Sequence, residues 1–161
     1  MDRLAAACAA LFIVVLAIAA YWDRSIRVLH AFEALPYALA GVLCLGRHRF
    51  GYLLGMASGV FWLWMAGTLT TFVRNGFEQL AMLVTTGHVD RWDVLIAAPA
   101  ALSTGGLVAF SLWGYARVRP KAPADFALFV VVLGLVALFF ITLFWLFAPQ
   151  YLRVFDPIVS R

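Results

Sequence analysis

The chain has 161 residues, 65% hydrophobic and 12% charged, with a mean hydropathy of +0.96, against roughly 45–50% apolar and about 25% charged for an ordinary soluble domain. A domain of this length buries only about two-thirds of the surface its unfolded chain exposes, which excludes a single water-soluble core and makes lipid the expected solvent for the rest. The formal net charge of +4 comes from cations in short clusters between apolar runs, which reads as membrane topology and argues against a nucleic-acid partner.

Residues 4–22, LAAACAALFIVVLAIAAYW, form the first run long enough for the roughly 30 Å hydrocarbon core, which takes about 20 helical residues. Ala17, Ile18 and Ala19 have the small-x-small form of a signal-peptide cleavage site. The apolar stretch nevertheless continues through Tyr21 and Trp22, residue types that favour the membrane interface, so a retained helix is expected. Residues 28–46, VLHAFEALPYALAGVLCLG, are the ambiguous run. They are long enough to span, yet they carry His30, Glu33 and Pro36 in their first half. An ionised carboxylate costs roughly 2.5–3.5 kcal/mol at the bilayer centre on insertion scales, and proline removes a helical donor. A fifth span is favoured over a shallow re-entrant or interfacial segment.

The third run, 50–73, opens with GYLLGMASG, which sets Gly51, Gly55 and Gly59 four apart on one helical face. Such a doubled GxxxG admits another helix backbone at close range. The aromatic stretch FWLW at 61–64 that follows reads as packing, with stacking on an apolar ligand or quinone as the alternative. The connector 74–92 predicts a short amphipathic helix at about 76–86. Asn75 and Glu78 have capping-box spacing, Phe77, Leu80, Ala81 and Val84 form an apolar stripe, and Gly87 ends the pattern. A surface position at the membrane interface follows, with Asp90 and Trp92 as cap and anchor of the next span.

The fourth span, 93–116, contains Pro99, Ser103, Thr104, Gly105 and Gly106. A break here with small polar residues would suit a solute path, and close helix packing with a tolerated kink is the competing reading. The fifth run, 124–148, follows helix-entry signals at Pro120, Pro123 and Asp125, holds no charge from 126 to 147, and stops at Pro149. The tail APQYLRVFDPIVSR is expected to hug the outer surface. The expected architecture is therefore all-α: one polytopic domain, 1–161, with a bundle of four or five transmembrane helices and one interfacial helix.

Cation counts do not orient the five-span form. Arg3, Arg47, Arg49, Arg117, Arg119 and Lys121 fall on one side, and Arg24, Arg27, Arg74, Arg91, Arg153 and Arg161 on the other. Four spans with the N-terminus outside would instead follow the positive-inside rule. Both forms place 47–49 and 117–121 in the cytoplasm and 74–92 with the C-terminus outside. The expected location is a bacterial cytoplasmic (inner) membrane.

His30 and Glu33 share a helix face and lie close enough to share a proton. The plainer reading sets Glu33 at the interface, neutral or paired with Arg27. The HxxE spacing reverses the ExxH of carboxylate di-iron helices, but no other apolar run carries a central acid. His48 and His88 fall in connectors on opposite sides and offer no haem ligand pair. Cys8 and Cys44 show no metal or redox spacing. No metal or cofactor is expected, and no hydrolase or nucleotide-binding motif appears. The expected function is a non-catalytic subunit, in contact with lipid, that packs through the Gly51, Gly55 and Gly59 face against a larger partner or its own copies. The alternative is a small self-associating transporter or channel with His30, Glu33, Ser103 and Thr104 on the proton or solute path. A membrane enzyme acting on lipid or quinone is third.

Overall fold

The computed structural model describes residues 1–118, 124–147 and 149. Its elements are α1 (Asp2–Trp22), a 3-10 turn (Arg24–Ile26), α2 (Arg27–Leu45), α3 (Arg49–Thr68), α4 (Phe72–Thr86), α5 (Trp92–Leu95), α6 (Ala97–Arg117) and α7 (Ala124–Phe147). The described residues contain no strand, and five helical runs are long and apolar enough to cross a membrane: α1, Arg24–Leu45, α3, Trp92–Arg117 and α7. A helix meets its backbone hydrogen bonds internally, which suits runs with so few side chains able to satisfy them.

The ambiguous run is a continuous helix. Pro36 sits inside α2 without ending it, although the missing N–H removes the helical donor for the Phe32 carbonyl. Asp23 separates α1 from α2, its carboxylate accepting the Ser25 amide at 2.9 Å and the Ser25 hydroxyl at 2.6 Å. The turn from α2 to α3 is tighter, with Arg47 at φ 55, a left-handed conformation uncommon outside glycine.

Five expectations need correction. The third run stops at Thr68 rather than 73, and the following helix starts at Phe72 rather than 76. No capping box forms, because the Thr70 hydroxyl already accepts the Phe72 amide one turn earlier, while Asn75 donates to Thr71 and Glu78 pairs with Arg74. Asp90 does not cap the next helix. Its amide and that of Arg91 both donate to Gln79 Oε1, and Arg91 holds the N-cap position. The break in the fourth span falls at Ile96, between α5 and α6, and α6 runs unbroken through Gly105 and Gly106. Pro99 accounts for the position, since it supplies no N–H to the carbonyl of Leu95. Residues 119–123 with Pro120, Lys121 and Pro123, residue 148, and residues 150–161 lie outside the described residues.

Helices α1, α2, α3 and α6 close a ring in which each touches two neighbours: α1 with α2, α2 with α3, α3 with α6, and α6 with α1. Small residues set the spacing. Ala9 of α1 lies against Gly41 of α2, and Cys8 of α1 against Gly106 of α6. Helix α3 is the most enclosed, with every residue from Gly51 to Gly59 buried. Across the middle of the ring α1 meets α3, the Phe12 ring lying 5.1 Å from Trp62. Helix α7 packs outside the ring on α3 and α2, and many of its large side chains, including Phe126, Leu138 and Trp145, are exposed.

Charged groups tie one end of this bundle. Arg49 donates to Asp125 Oδ1 at 2.9 Å and the Tyr115 hydroxyl to Asp125 Oδ2 at 2.7 Å, joining α3, α6 and α7. At the same end Tyr52 donates to Asp2 at 2.6 Å, and Arg47 reaches Asp2 at 3.1 Å.

Candidate functional site

Helix α2 carries one buried acid, Glu33, at 3% exposure. Its Oε2 lies 2.5 Å from His30 Nδ1, three residues earlier on the same face. That spacing follows from the helical repeat, which brings i and i+3 side chains together. Arg27 does not pair with Glu33; its Nε donates to the Ala20 carbonyl at 3.2 Å. No lysine or arginine bridges to Glu33 among the described residues. The arginine-paired reading is thereby corrected: the acid faces inward, and its partner is the imidazole.

The pair is asymmetric in access. The His30 side chain retains 15% of its exposure and that of Glu33 5%, so the imidazole is the more accessible of the two. On the His30 side lies the turn from α1 to α2, where Ser25 holds the Asp23 carboxyl below the usual carboxylate range by hydrogen bonding. On the inner side, one turn further along the same face, Tyr37 is fully buried and donates to the Ser58 carbonyl of α3 at 3.1 Å. Its ring packs 4.2 Å from Phe12. The Ser58 hydroxyl is buried and has no hydrogen-bond partner among the described residues.

Ser103 and Thr104 do not join this site. Both hydroxyls return to the Ala100 carbonyl of their own helix, at 3.0 and 2.7 Å, and Thr104 packs against Gly59 of α3. The glycine face is filled within the chain. A Cβ on Gly51 would meet Leu43 Cβ at 2.6 Å, one on Gly55 the Ser111 hydroxyl at 2.6 Å, and one on Gly59 Val108 Cγ2 at 2.5 Å. Helices α2 and α6 of the same chain occupy it. Of the aromatic stretch, Trp62 lies against Phe12 and Phe61 against Phe140, while Trp64 is exposed.

Sequence reasoning singled out His30 and Glu33 but missed Tyr37 and Ser58. Tyr37 was legible as the residue one turn beyond Glu33; Ser58 was not, because its relation to α2 is set by how two helices pack.

Fold and site together define an all-helical bundle with five membrane-length helical runs and a buried acid–imidazole pair. Comparison with family models, curated proteins and solved structures finds no match, so the chemistry of the site carries the functional reading.

Proposed function

We propose that the chain is a small integral-membrane protein that binds and passes protons at the His30–Glu33 pair, as a proton-linked transporter or channel. The observation that carries this reading is that Glu33 is buried and bonded to His30 at 2.5 Å within a single helix. Enclosing ionisable groups in an apolar bundle is costly. Where the cost supports architecture, the pair joins separate elements, as Arg49 and Asp125 join α3 to α7. Among the described residues His30 and Glu33 join nothing beyond one turn of α2, so tying helices together is not the role these contacts give them. An imidazole whose ordinary pKa lies near neutrality, in contact with a carboxylate, is suited to taking up and releasing a proton.

The proposed setting is a bacterial cytoplasmic membrane. The end bearing Arg47, His48 and Arg49 faces the cytoplasm, and α4 rests on the outer surface. Two exposed apolar side chains of α4, Phe77 and Val84, fit such a surface position.

The test is proton flux into vesicles reconstituted with the purified chain under an imposed pH gradient. Wild type is expected to dissipate the gradient, and Glu33→Gln, which keeps shape but cannot ionise, to leave it standing. Equal flux from both removes Glu33 from the function. The particle extracted in mild detergent is to be examined first: a fixed complex with other polypeptides would favour the subunit reading, with docking on a surface other than the glycine face.

A further inference from the structure

Beyond Glu33 the interior of the ring is not uniformly apolar. Tyr37 and Ser58 are followed, toward the opposite end of the bundle, by Ser111 of α6, which sits against Gly55, one helical turn before Ser58 on α3. The Cys44 thiol lies beside Ser111, and Tyr52, hydrogen-bonded to Asp2, completes the series at the far end. Ser58, Ser111, Tyr37 and Tyr52 are all essentially excluded from the exterior. These groups come from α1, α2, α3 and α6, the four members of the ring, and α7 contributes none. Where two of these groups do not touch, a bridging water with two hydrogen bonds is what joins them in the proposed path. The unpartnered Ser58 hydroxyl is the second observation, since a buried hydroxyl without a partner in a packed core calls for an explanation.

We propose that this seam is a proton route through a single copy of the chain, entering at His30 and leaving at Asp2, or the reverse. It rests on the reading of His30 and Glu33 as a proton site and adds the path. A proton taken up at His30 Nε2 releases the one shared between Nδ1 and Glu33. The Glu33 carboxyl then passes a proton by way of the Tyr37 and Ser58 hydroxyls to Ser111, Tyr52 and Asp2. One proton enters for each that leaves, the imidazole returns to neutral, and nothing is oxidised or reduced. Because the route lies inside the ring, self-association is not needed for conduction.

The experiment reconstitutes vesicles at less than one copy per vesicle on average and follows decay of an imposed pH gradient, with infrared titration of the Glu33 carboxyl measured in parallel. Tyr37→Phe is expected to slow flux at least tenfold while the Glu33 carboxyl band still titrates. Thr142→Val, on an exposed face of α7, is expected to leave flux unchanged. Should Tyr37→Phe fail to fold, Ser111→Ala and Tyr52→Phe interrupt the same seam and are expected to slow flux likewise. Loss of flux in Glu33→Gln with wild-type flux in the seam variants overturns the route and leaves the proton site standing. Undiminished flux in Glu33→Gln overturns the site itself. Flux only in vesicles holding two or more copies overturns conduction within one copy.

Discussion

Glu33 and Asp125 are both buried acids of this chain, and they differ in what their partners do. Asp125 has each carboxylate oxygen engaged by a different helix, Arg49 of α3 and Tyr115 of α6, so it fastens the first turn of α7 to the ring. Removing one member of a buried pair strands the other and typically costs about 3–5 kcal/mol; with a third of the Arg49 side chain exposed, the lower end is expected. Asp125→Ala should thus lower the unfolding free energy in detergent by about 3 kcal/mol, and an unchanged denaturation midpoint would refute the fastening role. The sequence showed Asp125 only as a helix-entry residue, because its partners lie 76 and 10 positions away. His30 and Glu33 were legible because their contact is fixed by one helical turn.

Among the elements, α2 and α3 show what spacing alone can and cannot convey. The glycines of α3 announced a close helix contact, but not which helix would make it. Packing assigns Gly51 to α2 and Gly55 with Gly59 to α6. The consequence differs by position: a methyl group at Gly51 would lie 2.8 Å from backbone atoms of Leu43 and Cys44, whereas Gly134 of α7 has nothing within 4 Å. Gly51→Ala is expected to destabilise by about 1–3 kcal/mol, as overpacking does. Gly134→Ala should be neutral or stabilising, since alanine is the better helix former. Thermal unfolding of the two variants side by side checks this, and equal midpoints would contradict the packing at Gly51. Helix α4 shows a different limit of sequence reading. Its apolar stripe was evident, but its start was misplaced, because Thr70 and Thr71, rather than Asn75 and Glu78, hold its first turn.

For the whole molecule, the number of long helical runs decides which turns share an end of the bundle. Five runs alternate direction, so the turn at Ser25 and the turn at Arg47 lie at opposite ends of the bundle. In the proposed membrane setting, a single cysteine at position 25 and one at 47, in a background lacking Cys8 and Cys44, should react with an impermeant reagent from opposite faces of a vesicle. Reaction from the same face would contradict a spanning α2. Charge counting left this open because cations divide evenly between the ends. The continuity of α2 through Pro36 sets its two turns at opposite ends of the bundle and leaves that cation tie as it is.

The closed ring has a consequence for biosynthesis. Its last member is α6, so while the chain is being made, the earlier helices wait without the neighbour that completes their enclosure. A buried acid dependent on a distant residue would spend that interval unpaired. Glu33 does not, because His30 precedes it by three positions on the same helix and is already in place when that turn of α2 winds. In the membrane setting the segment can therefore enter the bilayer with its acid already shielded, before any tertiary contact forms. A substitution at His30 should then show itself first as a failure of insertion, ahead of any loss of the finished fold.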